Sequence, residues 1–306
     1  MRIRFDDQVA IVTGAGTGLG RSHALGLAAR GARVVVNDFS PAGQRPGGPS
    51  PAEQVSTEIR MAGGEAIANH ANVADQNQVG AMVEEAKRKW GRIDMLVNNA
   101  GILRDKSFAK MSSDDFRAVL DVHVMGAFNC TKAVWDLMRA QEYGRIVMTS
   151  SSSGLYGNFG QSNYGTAKMG LVGLMNVLNI EGAKHGIRVN TLAPTAATGM
   201  TEGIMPREML DLMSVESVTA GLLYLVHKDA PSRLILCAGA GGYAATRIYE
   251  TDGIYLPPEN QTPEDVAAHI DDILNVDDQQ MLEQAILQTR KFVDKAAASL
   301  GIALNI

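Results

Sequence analysis

The sequence predicts an α/β fold: a doubly wound parallel sheet of seven strands with helices on both faces, ending in a helical extension. Three observations carry that prediction. Short runs rich in Val and Ile recur along the chain, apolar on consecutive positions, which is how a strand buried on both faces reads. Between them lie segments whose apolar residues repeat every three to four positions, the period of an amphipathic helix. A glycine-rich turn joins the first run to the first such segment, as where a strand feeds a helix in a nucleotide-binding unit.

The expected strands are Val9–Thr13, Arg33–Asn37, Glu65–His70, Ile93–Val97, Arg145–Ser150, Ile187–Leu192 and Leu234–Cys237. Expected helices include Arg21–Arg30, Val79–Trp90, Phe116–Arg139 and Ala167–His185. Strand, helix, strand at this spacing gives right-handed crossovers and hence a parallel sheet. Ser40–Pro51 (SPAGQRPGGPSP) breaks the rhythm and reads as a loop. It is either a surface insertion or a neighbour of the adenine end of a bound dinucleotide. From Gly239 to Pro258 the chain is rich in Gly and Tyr. Helical patterns then cover Thr262–Leu274 and Gln279–Leu300, with Thr262 as a cap ahead of Pro263. No long linker separates the two parts. Residues 1–240 are therefore expected to form the main domain and 241–306 an extension packed on it.

A chain of 306 residues fits this organisation better than two independent cores. Its 28 basic and 33 acidic residues leave a net charge of −5, which argues against nucleic acid as a main partner. No apolar run approaches the ~20 residues of a membrane helix. Asp6 and Asp7 fall where a signal peptide would need an apolar core, and the final Leu304-Asn305-Ile306 is not a peroxisomal address. The two cysteines, Cys130 and Cys237, lie in apolar stretches and point to a reducing compartment, the cytoplasm. The six histidines, at 23, 70, 123, 185, 227 and 269, show no ligand spacing, so no metal is expected.

The turn after the first strand reads Thr13-Gly14-Ala15-Gly16-Thr17-Gly18-Leu19-Gly20. Its glycines let the backbone approach a pyrophosphate whose charge meets the free N–H groups of the following helix. Asp38 ends the second strand, about twenty residues on, where a carboxylate accepts from both ribose hydroxyls and repels a 2′-phosphate. NAD is therefore expected over NADP, with Arg21 and Arg45 the cations that could favour the phosphate instead.

Further along, a strand ends in serines and a helix carries Tyr164 and Lys168 four residues apart, on one face. Ser151 precedes Tyr164 at the carboxyl end of its strand, where open α/β sheets bind ligands. The residue types suit removal of hydride and proton from a secondary alcohol. A phenol of pKa ~10 is too weakly ionised near neutrality to take that proton unaided. A neighbouring ammonium and the positive nicotinamide ring favour its phenolate, and a serine hydroxyl fixes the substrate oxygen.

In order and spacing, TGAGTGLG, Asn98-Asn99-Ala100-Gly101, Ser151 and Tyr164-Gly165-Thr166-Ala167-Lys168 resemble the short-chain dehydrogenase/reductase family over about residues 5–240. The resemblance implies a Rossmann-like sheet, a nicotinamide cofactor and Ser151, Tyr164 and Lys168 as the catalytic set. It also implies cofactor contacts from Gly14, Thr17, Gly18, Leu19, Gly20, Asp38, Asn72, Val73, Asn99, Ala100, Gly101, Tyr164, Lys168, Pro194 and Thr198. A homodimer or homotetramer is implied too, through the helices of Ser112–Arg139 and Asn163–His185.

Two positions depart from the family pattern: His123 stands where an asparagine is usual, and Asn72 where an aspartate is usual. His123 is read either as a proton-relaying group or as a packed helix histidine. NAGILRDKSFAKMS, YGRIVMTSSSSGLYGNFGQSNYGTAKMGL and MPREML resemble one branch of the family, which also has a histidine at the place of His123, a glycine-rich insertion after the second strand and a similar C-terminal extension. That branch is the (3R)-hydroxyacyl-CoA dehydrogenase part of peroxisomal multifunctional enzyme type 2. Oxidation of a 3-hydroxyacyl-CoA by a stand-alone bacterial, cytoplasmic enzyme is what that resemblance implies. A hydroxysteroid or other secondary-alcohol dehydrogenase is the alternative, and a silent nucleotide-sensing module the alternative from another class. Arg104, Lys106, Lys110, Arg207 and Arg247 are candidates for CoA phosphates or for an ordinary solvated face. Met200, Met205, Met209 and Met213 suit either an acyl chain or core packing.

Overall fold

The structure, a computed structural model, describes residues 3–39, 48–197 and 206–304. The chain divides into two compact units, Met1–Ala245 and Thr246–Ile306.

In the first unit the expected alternation appears in order. The strands are β1 (Val9–Thr13), β2 (Arg33–Asn37), β3 (Glu65–Asn69), β4 (Met95–Asn98), β5 (Gly144–Thr149), β6 (Ile187–Thr195) and β7 (Ile235–Gly239). Their helices are α1 (Gly18–Ala28), α2 (Pro51–Met61), α3 (Gln76–Trp90), α4 (Ser113–Leu120), α5 (Gly126–Gln141), α6 (Ser152–Tyr156), α7 (Ser162–Gly182), α8 (Arg207–Leu212) and α9 (Val215–Leu225). The sheet order is β3-β2-β1-β4-β5-β6-β7, with parallel pairing between each neighbouring pair. An eighth strand, β8 (Gly242–Thr246), extends the edge beside β7. Only Ala240 and Gly241, at φ 49° and 76°, separate the two, the positive-φ pair a tight hairpin requires. The GAGGY stretch at Gly239–Tyr243 thus turns the chain into a sheet edge.

Alternate strand residues feed two cores. Ala10, Val12, Val34, Val36, Val97 and Val147 pack on one side with α1 and α9 residues such as Leu27 and Leu222. Val9, Ile11, Val35, Leu96, Ile146 and Met148 pack on the other with Val83, Val134 and Leu171 of α3, α5 and α7. The strand order reverses between β1 and β4, so their carboxyl ends, Thr13 and Asn98, flank the crevice where such sheets bind ligands.

Three boundaries differ from expectation for local reasons. Pro51, read as the last loop residue, opens α2. Ser50 accepts from Glu53 N–H at 3.2 Å while the Glu53 carboxylate accepts from Ser50 N–H at 2.6 Å, a complete capping box. β6 continues through Pro194 to Thr195, in register with Ala238 and Gly239. The helix expected over Phe116–Arg139 is interrupted by a π-turn at Asp121–Met125, between α4 and α5. One inserted residue there re-aims the side chain at 123, a distortion common at functional sites.

The second unit holds α10 (Pro263–Ala268), α11 (Ile270–Leu274) and α12 (Ala285–Leu300). Thr262 caps α10 as expected, accepting from Asp265 N–H at 3.1 Å. The span Thr262–Leu274 is two helices rather than one, and the last helix begins at Ala285 rather than Gln279. Lys291 pairs with Glu250, and Lys295 with Asp252. Among its described residues Ala297 alone is buried, so little of this unit's apolar surface is covered from within.

Candidate active site

A cavity of about 550 Å³ opens at the carboxyl ends of the central strands. Gly14, Thr17, Gly18, Leu19, Gly20, Asp38, Asn99, Ala100, Gly101, His123, Ser151, Tyr164, Lys168 and Pro194 line it, so most of the residues singled out in the sequence meet there. Thr149 and Ser150 line it too, which the motif reading missed, although both belong to the serine-rich strand end. Asn72 and Val73 do not line it. Asn72 turns back to accept from Ala74 N–H at 3.0 Å, and the Val73 carbonyl is held by Asn129 Nδ2 at 2.9 Å. Thr198, Met200, Met205 and Arg45 lie outside the described residues.

One half of the cavity is made by backbone in close approach. A Cβ at Gly20 would stand 2.1 Å from the Gly14 carbonyl oxygen, and one at Gly14 would stand 2.9 Å from Ala100 Cα. Gly14 and Gly18 also hold φ of 60° and 52°, which glycine tolerates best. Thr13, unremarked in the sequence, ties the two crevice strands: its hydroxyl accepts from Asn99 and Ala100 N–H at 3.0 Å each. Asn99 Nδ2 returns the tie to the Thr13 and Gly14 carbonyls at 2.9 and 3.1 Å. Asp38 Oδ2 accepts from Gly16 N–H at 2.9 Å, fixing the carboxylate at the lip of the glycine turn. Arg21, the described cation that could favour a 2′-phosphate, is held by both oxygens of Glu58 at 2.9 and 2.6 Å.

The other half is made by side chains. Ser151 caps α6 and hydrogen-bonds the Tyr164 phenol. One turn of α7 later, Lys168 donates to the Thr149 carbonyl at 2.6 Å, its Nζ 5.3 Å from the Tyr164 ring centroid. Burial brings the Lys168 pKa down to about 7. Burial also raises that of Tyr164, against the lowering effect of Ser151 and with the Asp105 charge adding to the rise. The sequence reading has the ammonium and a positive nicotinamide ring bringing the phenol down; within the protein alone burial raises it, and the lowering contribution comes from Ser151. Such a pair is poised by its surroundings rather than by its residue types.

The π-turn places His123 edge-on to Tyr164, centroids 5.3 Å apart and planes at 88°. Its Nε2 lies within hydrogen-bond distance of both Ile102 N and O, at 3.0 and 2.9 Å. Burial and the Lys168 charge lower its pKa to about 3, so the ring is neutral near pH 7. Gly101 makes room for it, since a Cβ there would stand 2.2 Å from His123 Cε1.

Of the candidate phosphate-binding cations, Lys106 is paired with Asp115 at 2.7 Å and Arg207 with Asp211 at 2.9 Å. Arg104 and Lys110 are exposed and make no ion pair among the described residues. Met213 is buried and Met209 half exposed. Cys130 is buried, its thiol pushed up to about 12 and so inert. No group of potential metal ligands and no helix able to cross a membrane occurs among the described residues.

The family model for short chain dehydrogenases matches residues 8–208, and the chain belongs to that family. It is 45% identical over 268 residues to peroxisomal multifunctional enzyme A of Dictyostelium discoideum, an alignment covering 87% of this chain and 60% of that protein. The structure of full-length peroxisomal multifunctional enzyme type 2 from Drosophila melanogaster is similar with TM-score 0.81 and 37% identity, over 97% of this chain and 50% of that one. The chain therefore spans about half the length of these multifunctional relatives. A 7α-hydroxysteroid dehydrogenase complexed with NADH and 7-oxo glycochenodeoxycholic acid is similar with TM-score 0.70 and 28% identity, over 78% of this chain. The resemblance drawn from the motifs is borne out at family and branch level. The chain is an oxidoreductase of a family that uses nicotinamide cofactors, and the glycine cradle that a single Cβ would fill fits such a group.

Proposed function

We propose that the chain oxidises the secondary alcohol of a (3R)-3-hydroxyacyl-CoA to the 3-ketoacyl-CoA, with NAD as hydride acceptor. The observation that carries this reading is one cavity lined at once by the glycine turn, Asp38, Ser151, Tyr164 and Lys168. The Gly14–Gly20 turn would hold the pyrophosphate, Asp38 the adenosine ribose and the Asn99–Gly101 turn the neighbouring backbone. The nicotinamide supplies an electron-poor ring carbon that takes up hydride. Tyr164 takes the hydroxyl proton as the substrate C–H bond gives up its electron pair and the C=O bond forms. Lys168 holds positive charge beside the phenolate, and Ser151 fixes the substrate oxygen. His123 stays neutral and shapes the wall behind Tyr164.

NAD is favoured because Asp38 sits at the lip of the glycine turn, where its carboxylate would meet a ribose and repel a 2′-phosphate, and because Arg21 is engaged by Glu58. The acyl-CoA class comes from the multifunctional relatives. A hydroxysteroid substrate is the second reading, favoured by the likeness to the steroid dehydrogenase. A reducing compartment, the cytoplasm, suits a chain whose two cysteines, Cys130 and Cys237, are far apart in sequence and form no closely spaced framework. A homodimer or homotetramer through α5 and α7 suits their exposed Phe128, Met169, Val177 and Ile180.

The test is NADH formation followed by absorbance, with (3R)- and (3S)-hydroxyacyl-CoA, a 17β-hydroxysteroid, and NAD and NADP in parallel. Turnover of the 3R thioester with NAD is expected. Turnover of the steroid alone transfers the function to the second reading, and turnover of none of them removes the substrate assignment.

A further inference from the structure

Residues 99–106 follow β4, and the two ends of this segment serve different parts of the molecule. Asn99, Ala100 and Gly101 line the cavity. The far end is fastened to the start of α7. Lys106 N–H donates to the Gly160 carbonyl at 2.9 Å, Gln161 Nε2 to Asp105 Oδ2 at 2.7 Å, and Asn163 Nδ2 to the Arg104 carbonyl at 2.9 Å. Lys106 is also held by the Asp115 carboxylate of α4 at 2.7 Å. The residue that follows Asn163 on α7 is Tyr164.

Asn163 differs from the other fastenings. Asp105 and Lys106 are exposed and Gln161 is half-buried, so water competes for their bonds, whereas Asn163 is 0% exposed. Its acceptor is engaged as well as its donor. α7 starts without a side-chain cap, and Tyr164 N–H lies in the first turn, where a helix leaves its donors without a partner. Asn163 Oδ1 accepts from that N–H at 2.7 Å. One carboxamide therefore grips the Arg104 main chain with its nitrogen and the Tyr164 main chain with its oxygen. An apolar side chain offers neither group, and a carboxylate offers no donor. Asn163 does not itself line the cavity.

We propose that Asn163 is a positioning residue for the oxidation: it couples the main chain of Tyr164 to the segment that bears Asn99–Gly101, so that the proton acceptor keeps its spacing from the cofactor half of the cavity. The alcohol loses hydride to one half and a proton to the other, so both acceptors must be aligned on a single substrate carbon and its oxygen. A displacement of about 1 Å in such an arrangement costs roughly 10² in rate. The proposal rests on the reading of Tyr164 as proton acceptor. The protein supplies its own control in Asn190 of β6, also 0% exposed. Asn190 Nδ2 donates to the Pro231 carbonyl at 2.8 Å and its Oδ1 accepts from Leu234 N–H at 2.9 Å, the same pair of bonds made away from the cavity lining.

The experiment measures single-turnover hydride transfer from a (3R)-hydroxyacyl-CoA to NAD, NADH affinity and the melting midpoint in Asn163→Leu and Asn190→Leu. Both variants lose two buried hydrogen bonds, so both should melt lower. Asn163→Leu should transfer hydride about 10²-fold more slowly with NADH affinity within about twofold of the wild type, whereas Asn190→Leu should keep the wild-type rate. Asn163→Ser removes less volume of packing conflict and leaves a hydroxyl too short to reach the Arg104 carbonyl; it should still lose about tenfold. A wild-type rate in both Asn163 variants overturns the proposal. So does an equal loss in Asn190→Leu, which would make the effect a general loosening, or a loss of NADH affinity as large as the loss of rate. Tyr164→Phe assayed beside them separates the two readings. Slow transfer in that variant with full transfer in Asn163→Leu overturns the positioning role alone, and full transfer in Tyr164→Phe overturns both.

Discussion

The two halves of the cavity are built on opposite principles. The cofactor half consists of main chain brought so close that side chains are excluded: Gly14, Gly16 and Gly20 each leave no room for a Cβ. The half around Tyr164 consists of side chains in low dielectric, where Lys168 is lowered to about 7, His123 to about 3, and Tyr164 is raised. The first half should fail sterically and without pH dependence. The second should fail through protonation, with its geometry intact.

Lys168→Met tests the second half most severely. It keeps the length of the stem and removes the charge beside Tyr164, so kcat should fall by about 10²–10⁴ while NADH still binds. An activity loss explained entirely by lost cofactor affinity would merge the two halves. Gly20→Ala tests the first half. Its Cβ meets the Gly14 carbonyl at 2.1 Å, so NADH affinity should fall roughly 10- to 100-fold without a change in the pH profile of the remaining activity. Asp38→Asn should lower the preference for NAD over NADP by about tenfold or more, as loss of a charged hydrogen-bond acceptor does. Equal preference before and after would remove Asp38 from cofactor choice.

The smallest effect concerns stability. His23, buried between α1 and α9 beside the Thr219 hydroxyl at 2.8 Å, and His123 are both lowered to about 3. An unfolded histidine takes up its proton near 6.5. Between these values the unfolded chain binds more protons, so stability is complete above about pH 6.5 and falls as pH drops toward 3. Urea melts across this window should show the slope, shallower in His23→Gln. An unchanged slope in that variant would mean other groups carry it.

Sequence legibility followed the same division. The glycine turn, Asp38 and the Tyr164–Lys168 pair were readable because each is a local pattern on one element, with chemistry that demands those residue types. Thr13 was not, because its role is to receive Asn99 and Ala100 from a strand more than eighty residues away. The π-turn at Asp121–Met125 was hidden by an apolar period that runs through it unbroken, so a single helix was expected. β8 was not among the expected strands because Gly239, Gly241 and Gly242 interrupt any apolar run there, and its strand character comes from pairing with β7. Asn72 and Val73 came from family pattern alone, and neither lines the cavity.

The most direct test of the two-part site is Tyr164→Phe, assayed twice: NADH binding by fluorescence, and single-turnover hydride transfer from a (3R)-hydroxyacyl-CoA to NAD. Removing one hydroxyl oxygen should leave NADH affinity within about twofold and lower hydride transfer by at least ~10³. Hydride transfer near the wild-type rate would contradict Tyr164 as the proton acceptor and the division of labour with it.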